Sequence, residues 1–493
     1  MILQRGFHWL TLPRLVGALT FIAIFAMAAR VSVDTDTWWH LRTGQWIVEH
    51  GAIPQVDPFS HPRAGAPWRI PGWIIQVPLY LLFVNFGYAG LNLFTAALVT
   101  LTFYFVERAC AGHPLLRAFA LVLAATVSGI YWSARPQLVS LVLTAAFALI
   151  LYLFRRGGPN RLGLLPPLMA FWANAHGGWA LGFILLALTA AGEALKWGWA
   201  WFTTRRAPAA TGLLWLGGIT AACGLAVCLN PAGPEMLLYP FKTVGIGALR
   251  DFIQEWQSPN FHTVETQPFL WLLLATLAVV ALSGRPPDLT DLLLVLATAY
   301  LGFLAGRNLP LLAVVAPPLL TRHADMLLSA VRAAPAQPAA RAAPAGFSAL
   351  NWGLLLGLAL TAAVKVAAVL PAAVNEQALA TFTPSAAAAF IQRTRPAGPL
   401  FNSYNFGAYL TWALYPDYPV YVDGRTDLYD DAFLRQYLRV ALGRPGYAAV
   451  LDEAGVRLVL IEADSLLGDR LSADPAWRVL YRDAVAAVYG RNP

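Results

Sequence analysis

Apolar residues along this chain do not alternate with polar ones; they run in long, nearly unbroken blocks. The blocks lie near 15–33, 89–106, 118–132, 138–154, 162–172, 179–197, 213–229, 268–282, 289–304, 309–320 and 350–370. A helix that is apolar all round is buried or faces lipid, and ~20 such residues cross a hydrocarbon core. Each block therefore predicts a transmembrane helix, about 11 in all on that length criterion. The shorter ones need tilting, loop burial or interfacial Trp and Tyr to complete the crossing.

The remaining polar stretches divide the chain. Residues 1–321 read as a membrane bundle with two long loops, 34–72 and 230–267. Residues 322–349 are rich in Ala, Pro and Arg, with too little apolar content to fold alone, and read as a cytoplasmic linker. The block 350–370 is the last span, and 371–493 a soluble tail. In that tail "PLFN", "PVYVD" and "VRLVLIE" read as strands, "FGAYLTWAL" and "DAFLRQYLRVALG" as helices, and "WRVLYRD" with "AVAAVYG" as a closing hairpin. Thr383 before Pro384 reads as a helix start. The fold class expected is a polytopic α-helical membrane protein with a small C-terminal α/β domain.

Composition agrees and adds orientation. Apolar side chains make up 58% of the 493 residues and charged ones 12%, with a mean hydropathy of +0.57, far from a soluble domain's balance. In such a chain the placement of Lys and Arg says more than the net charge of +8. Basic residues gather in alternate short loops: Arg108 and Arg117; Arg155, Arg156 and Arg161; Arg205 and Arg206; Arg322 and Arg332. With those loops cytoplasmic, both long loops and the tail lie outside the plasma (inner) membrane. No nucleic-acid partner is implied. The first block also has leader-like features, Arg5 and Arg14 before it and Ala26-Met27-Ala28 within it, so a cleaved signal peptide is the alternative to a span. Cys110, Cys223 and Cys228 lie in or beside spans and imply no disulfide framework.

Ionisable groups at a bilayer border are expensive, so each raises a functional question. They are densest in "VDTDTWWHLRTG", where Asp34 and Asp36 sit two apart and share a face if extended. Either can act as a general base or, with His40 or Asp57, ligate a divalent cation. Trp38 and Trp39 suit a headgroup, a sugar or a lipid head. Capping the helix that follows, with Gly51 as its stop, accounts for one aspartate. Arg135 in "WSARPQL", Asn174 and His176 in "WANAHGGWALG", Arg307 and Asn308 in "AGRNLPL", and Glu255 with Trp256 all fall on the same side. Converging arginines at that depth suit a phosphate, as on a polyprenyl-phosphate head. The bland alternatives are a snorkelling side chain for each arginine and a packing role for His176.

These motifs carry a resemblance. Asp34-x-Asp36-x-Trp38-Trp39-His40-Leu41-x-x-Gly44 with Ile53-Pro54-x-x-Asp57-Pro58-Phe59-Ser60, then Arg135-Pro136-Gln137, Asn174-x-His176-Gly177-Gly178, Asn230-Pro231, Arg307-Asn308 and Tyr421-Val422-Asp423-Gly424-Arg425, resemble bacterial membrane proteins of the GT-C glycosyltransferase superfamily. The resemblance implies an inverting transferase with a lipid-linked sugar donor, an Asp of the first outer loop as base (Asp34 ahead of Asp36), and in some members a divalent cation. His40, Trp38, Trp39, Arg135, Asn174, His176, Arg307 and Asn308 would bind substrate. Membrane lipid and a protein or glycan held by the tail are the other expected partners. Arg69 and Pro71 stand where the pattern leads one to expect a His-Glu-Trp-like stretch, which removes an acid and favours the alternative, a non-catalytic membrane subunit that binds a partner through its outer domain. A transporter is disfavoured by few mid-membrane charges and no inverted repeat.

Overall fold

A computed structural model describes residues 9–331 and 345–492. Six helices in it are long and apolar enough to cross a membrane: Trp73–Ala109, Pro114–Tyr131, Gln137–Arg155, Gly177–Thr204, Gly306–Ala330 and Phe347–Val369. Five shorter apolar helices, Leu12–Ala28, Leu162–Ala175, Thr211–Val227, Gln267–Leu282 and Leu289–Leu304, stand at the other expected positions. The chain is an integral membrane protein.

Trp73–Ala109 bends at Gly87, whose φ of 57° lies in the left-handed region that glycine tolerates. Beyond the bend, Asn92 donates to the carbonyl of Val369, at the end of the last span, and to Asn375. The limb after Gly87 coincides with the expected span, and the limb before it packs along Thr37–His50 of the first long loop, the helix expected there, which ends at Gly51 in the left-handed conformation as anticipated. Where the two helices touch, Gly44 lets the backbone of Gln76 approach so closely that a Cβ would sit 2.1 Å from its carbonyl oxygen.

At the opposite ends of the spans a network of charges ties helices together. Arg155, almost fully buried, pairs with Asp288 at 2.9 Å and with Asp291. Arg156 reaches Asp291 at 2.6 Å, and Lys196 reaches Asp288 at 3.1 Å. Asp288 also caps its helix, accepting from the backbone of Thr290 and Asp291. The segment read as a linker is helical at both edges, because Leu309–Val331 runs past residue 321 and the next helix begins at Ala345. Residues 332–344, the rest of that segment, lie outside the described residues.

The tail holds a four-stranded sheet ordered β1-β2-β4-β3, with β1 Leu400–Asn402, β2 Leu458–Glu462, β3 Trp477–Arg482 and β4 Ala486–Arg491. β1 and β2 are parallel; β2–β4 and β3–β4 are antiparallel, the latter being the expected hairpin. "PVYVD" is not a strand of this sheet. Asn402 satisfies its backbone instead, accepting from the Tyr421 N–H at 2.7 Å and donating to the Val422 carbonyl at 2.8 Å, while Val420 bridges to Ser60 of the first long loop. Thr383 does not cap: its hydroxyl donates to the Leu379 carbonyl, and the helix begins at Ser385.

One apolar cluster joins all three polar segments: Phe59, Trp68 and Ile70 from the first loop, Ile246 and Leu249 from the second, and Phe401, Tyr421 and Tyr429 from the tail. Both long loops and the tail thus share one face of the bundle.

Candidate functional site

Arg135 lies between the end of one span and the start of the next, and its guanidinium spans the two early aspartates. Nη1 is 3.2 Å from Asp34 Oδ2 and Nη2 is 2.8 Å from Asp36 Oδ2. These side chains keep 16–21% of their surface accessible, so the pair is shielded but not sealed. The alternative capping role does not hold. Asp36 occupies the N-cap position of Thr37–His50 without a side-chain cap, because its carboxylate is drawn to the arginine. Asp34 has both oxygens engaged, Oδ1 by the Asp36 N–H at 2.9 Å and Oδ2 by Arg135. Asp36 Oδ1 accepts no hydrogen bond among the described residues.

Further groups gather round this pair. Arg307 lies 3.5 Å from Glu255 and stacks over Trp256, 4.1 Å from the ring centre. His176 Nδ1 accepts from the Gly178 N–H at 3.0 Å and meets the Ser140 hydroxyl at 2.7 Å, which itself accepts from Trp172. Burial, then Arg307 and Arg135, push the His176 imidazole down to about 3. It is therefore neutral, with Nδ1 the acceptor and Nε2 carrying the proton. For Asp36, burial outweighs the attraction of Arg135, and repulsion from Asp34, Glu255 and Asp423 adds to it, so its carboxyl is pushed up to about 6.

The tail reaches into this cluster through Asp423-Gly424-Arg425-Thr426-Asp427. Gly424 lies so close to Asp36 that a Cβ there would stand 2.0 Å from Oδ1. Arg425 is fully buried between Asp423, at 2.7 Å, and Asp57 of the first loop, and lies over the rings of Trp68 and Phe59. Asp427 lies beside Tyr239, a residue of the second loop that packs on Gly177; burial pushes the Asp427 carboxyl up to about 6. First loop, second loop and tail thus each contribute a wall.

No protein-family model matches the chain, and no curated protein matches it in sequence. Solved structures match its shape. The archaeal oligosaccharyltransferase AglB from Archaeoglobus fulgidus, in complex with an inhibitory peptide and a dolichol-phosphate, aligns over 91% of this chain and 69% of its own, with a TM-score of 0.55 at 13% identity. ArnT from Cupriavidus metallidurans bound to undecaprenyl phosphate aligns over 96% of this chain and 97% of its own, at 0.50 and 15%. The fold is the GT-C fold. The Archaeoglobus enzyme in complex with Zn and sulfate aligns over 96% of this chain and 73% of its own, at 0.51 and 11%. At such identities the likeness is one of architecture.

Within this GT-C fold the residues singled out from the sequence fall into two groups. Asp34, Asp36 and Arg135 are in direct contact, and His176 joins them to Arg307 by feeling the charge of both arginines. Trp38, His40 and Asn174 are buried in the scaffold. Trp38 packs against Phe83, Tyr88, Tyr409 and Trp412. His40 Nδ1 accepts from Gln76, and Asn174 accepts from both Trp73 and Asn230. Trp39 lies against His40 and Trp68. Asn308 donates to the Leu301 carbonyl, closing the turn that presents Arg307. Gly424 belongs to the motif Tyr421–Arg425 and Asp427 follows it by two residues, whereas Tyr239 has no signal in the sequence beyond its place in the second long loop. A divalent cation fits this donor set poorly: no three His, Cys, Asp or Glu side chains among the described residues converge as a metal group, and the two early aspartates already share a guanidinium.

Proposed function

We propose that the chain is a membrane glycosyltransferase that moves a sugar from a polyprenyl-phosphate-linked donor to an acceptor hydroxyl or amide at the extracytoplasmic face of the plasma membrane. The observation that carries this reading is Asp36: a carboxylate with one oxygen held by Arg135, the other uncommitted, and a pKa near 6. A general base works best with a pKa near the working pH. Asp34, with both oxygens engaged, is better suited to orienting Arg135, so the roles of the two aspartates are the reverse of the order that the sequence suggests.

In the reaction the acceptor O–H or N–H gives its proton to Asp36 Oδ1 as its heteroatom attacks the anomeric carbon. The bond from that carbon to the phosphate oxygen breaks on the opposite side, inverting the centre, and lipid phosphate leaves. Charge growing on the phosphate is met by Arg307, by the Arg135 Nε, a buried donor without a hydrogen-bond partner, and by the Nε2–H of His176. No step is routed through a metal. The lipid phosphates recorded with AglB and ArnT support this choice of donor.

The test is transfer from lipid-linked sugars in membranes carrying the wild type or Asp36→Asn. Removing a positioned base costs about 10²–10⁴-fold, and undiminished transfer in the variant would remove Asp36 as base. One observation favours the second reading, a non-catalytic subunit: Gly424 presses directly on Asp36. On that reading, glycans and lipid-linked sugars from a deletion strain are unchanged while a protein or glycan partner of the tail is lost.

A further inference from the structure

A cavity of about 450 Å³ opens between the first-loop helix Thr37–His50 and two tail helices, Ser385–Thr394 and Tyr404–Leu414. It exists only because the tail is docked, and none of the residues assigned to the transfer site lines it. Its volume falls within the roughly 300–1,000 Å³ of small-molecule sites. Its chemistry is uneven in an informative way. Tyr409 and Trp412 supply aromatic surface, while Ala388, Ala389 and Ala413 keep the rest of the wall low.

The polar tips that face this space have capacity to spare. Gln392 donates to the Ala413 carbonyl, and its Oε1 holds no hydrogen bond among the described residues. The hydroxyls of Ser385 and Tyr409 hold none either. Arg42 spends Nη1 on Gln45 at 2.6 Å and Nη2 on the Tyr415 carbonyl, and stacks 5.0 Å over the Tyr415 ring. Its Nε is buried without a partner. The lining includes no carboxylate.

Aromatic surface beside amide, hydroxyl and guanidinium groups matches a pyranose, whose C–H face is apolar and whose rim is a ring of hydroxyls that both donate and accept. A phosphate would want converging cations, and only Arg42 is cationic here. A lipid tail would leave the spare polar groups unmet in an apolar contact. We propose that this cavity seats a pyranose ring of the acceptor glycan. Its role as the acceptor's seat rests on the transferase reading, whereas sugar binding there does not. Trp38 links cavity to reaction site: it packs edge-on against Tyr409 at 5.3 Å and against Trp412 at 6.0 Å, two residues beyond Asp36.

The experiment uses the full chain in phosphatidylcholine nanodiscs and saturation-transfer NMR with methyl glucoside, methyl glucuronide and N-acetylglucosamine as probes, with glycerol phosphate as the headgroup control. At least one pyranoside should receive saturation and glycerol phosphate none. The signal should fall at least tenfold in Ala389→Trp, which fills the cavity, and severalfold in Gln392→Ala, an exposed position whose one hydrogen bond goes to the Ala413 carbonyl. Asp36→Asn should leave it intact. No transfer to any pyranoside, equal signals in wild type and both cavity variants, or a response to glycerol phosphate matching that of the sugars would each overturn the proposal. A pyranoside signal that passes these controls in a protein without transferase activity would defeat the transferase reading and leave the sugar site standing.

Discussion

At the scale of single residues, the site is set by how many negative charges share too few positive ones. Asp34, Asp36 and Glu255 face Arg135 and Arg307 beside a neutral His176, so the negative charge is incompletely compensated, and burial pushes the Asp36 carboxyl up to about 6. The sign follows directly. Protonated below a pKa of about 6, Asp36 cannot accept a proton; above it, it can. Transfer rate should therefore rise with pH through about 6 in the wild type, and that limb should vanish from the residual activity of Asp36→Asn, read from rates between pH 4.5 and 8. Gly424 belongs to the same scale. A Cβ there collides with Asp36 Oδ1, so Gly424→Ala should cut transfer at least tenfold without lowering the thermal midpoint of the whole chain; normal turnover would show that the loop moves aside at no cost.

Between elements, buried charge decides what is fixed. Arg425 joins tail to first loop with no exposure of any of the three side chains, and removing one member of such a set costs roughly 3–5 kcal/mol because the others stay buried and unpaired. Arg425→Met should thus release the tail, seen as faster proteolysis between residues 371 and 400, with the span helices intact by circular dichroism. Asp291→Asn should act at the other end of the bundle by the same logic, since Arg155 and Arg156 both depend on it. The spans were legible in the sequence because lipid leaves no choice but continuous apolar helices. The limb Trp73–Phe86 was not, because what distinguishes it from a span is the single torsion at Gly87. Nor was the unpaired "PVYVD" stretch legible, since its hydrogen bonds go to the Asn402 side chain and to a loop some 360 residues away. In the site, the residue types and their gathering with both long loops and the tail on one face of the bundle could be read ahead of structure; which aspartate keeps a free oxygen could not, because that depends on where Arg135 lands.

On the scale of the whole molecule, the two long loops and the tail form one layer over the apolar helices, with the proposed reaction site and the proposed sugar cavity both at its seams. Orientation is the corresponding prediction. In a Cys228→Ser background, a cysteine replacing the exposed Val264 should react with a membrane-impermeant maleimide in intact cells, and one replacing the exposed Arg206 only after permeabilisation; the reverse pattern would invert the topology and with it the side on which transfer occurs. The buried pairing of Asp57 with Arg425 also imposes an order on biosynthesis. Those residues are 368 positions apart, and at roughly 5–20 residues per second the ribosome needs on the order of 20–70 s to supply the second after the first. Through that interval Asp57 lacks Arg425, and Phe59 and Trp68 lack the tail residues they pack against, so this seam can close only after the tail has been made.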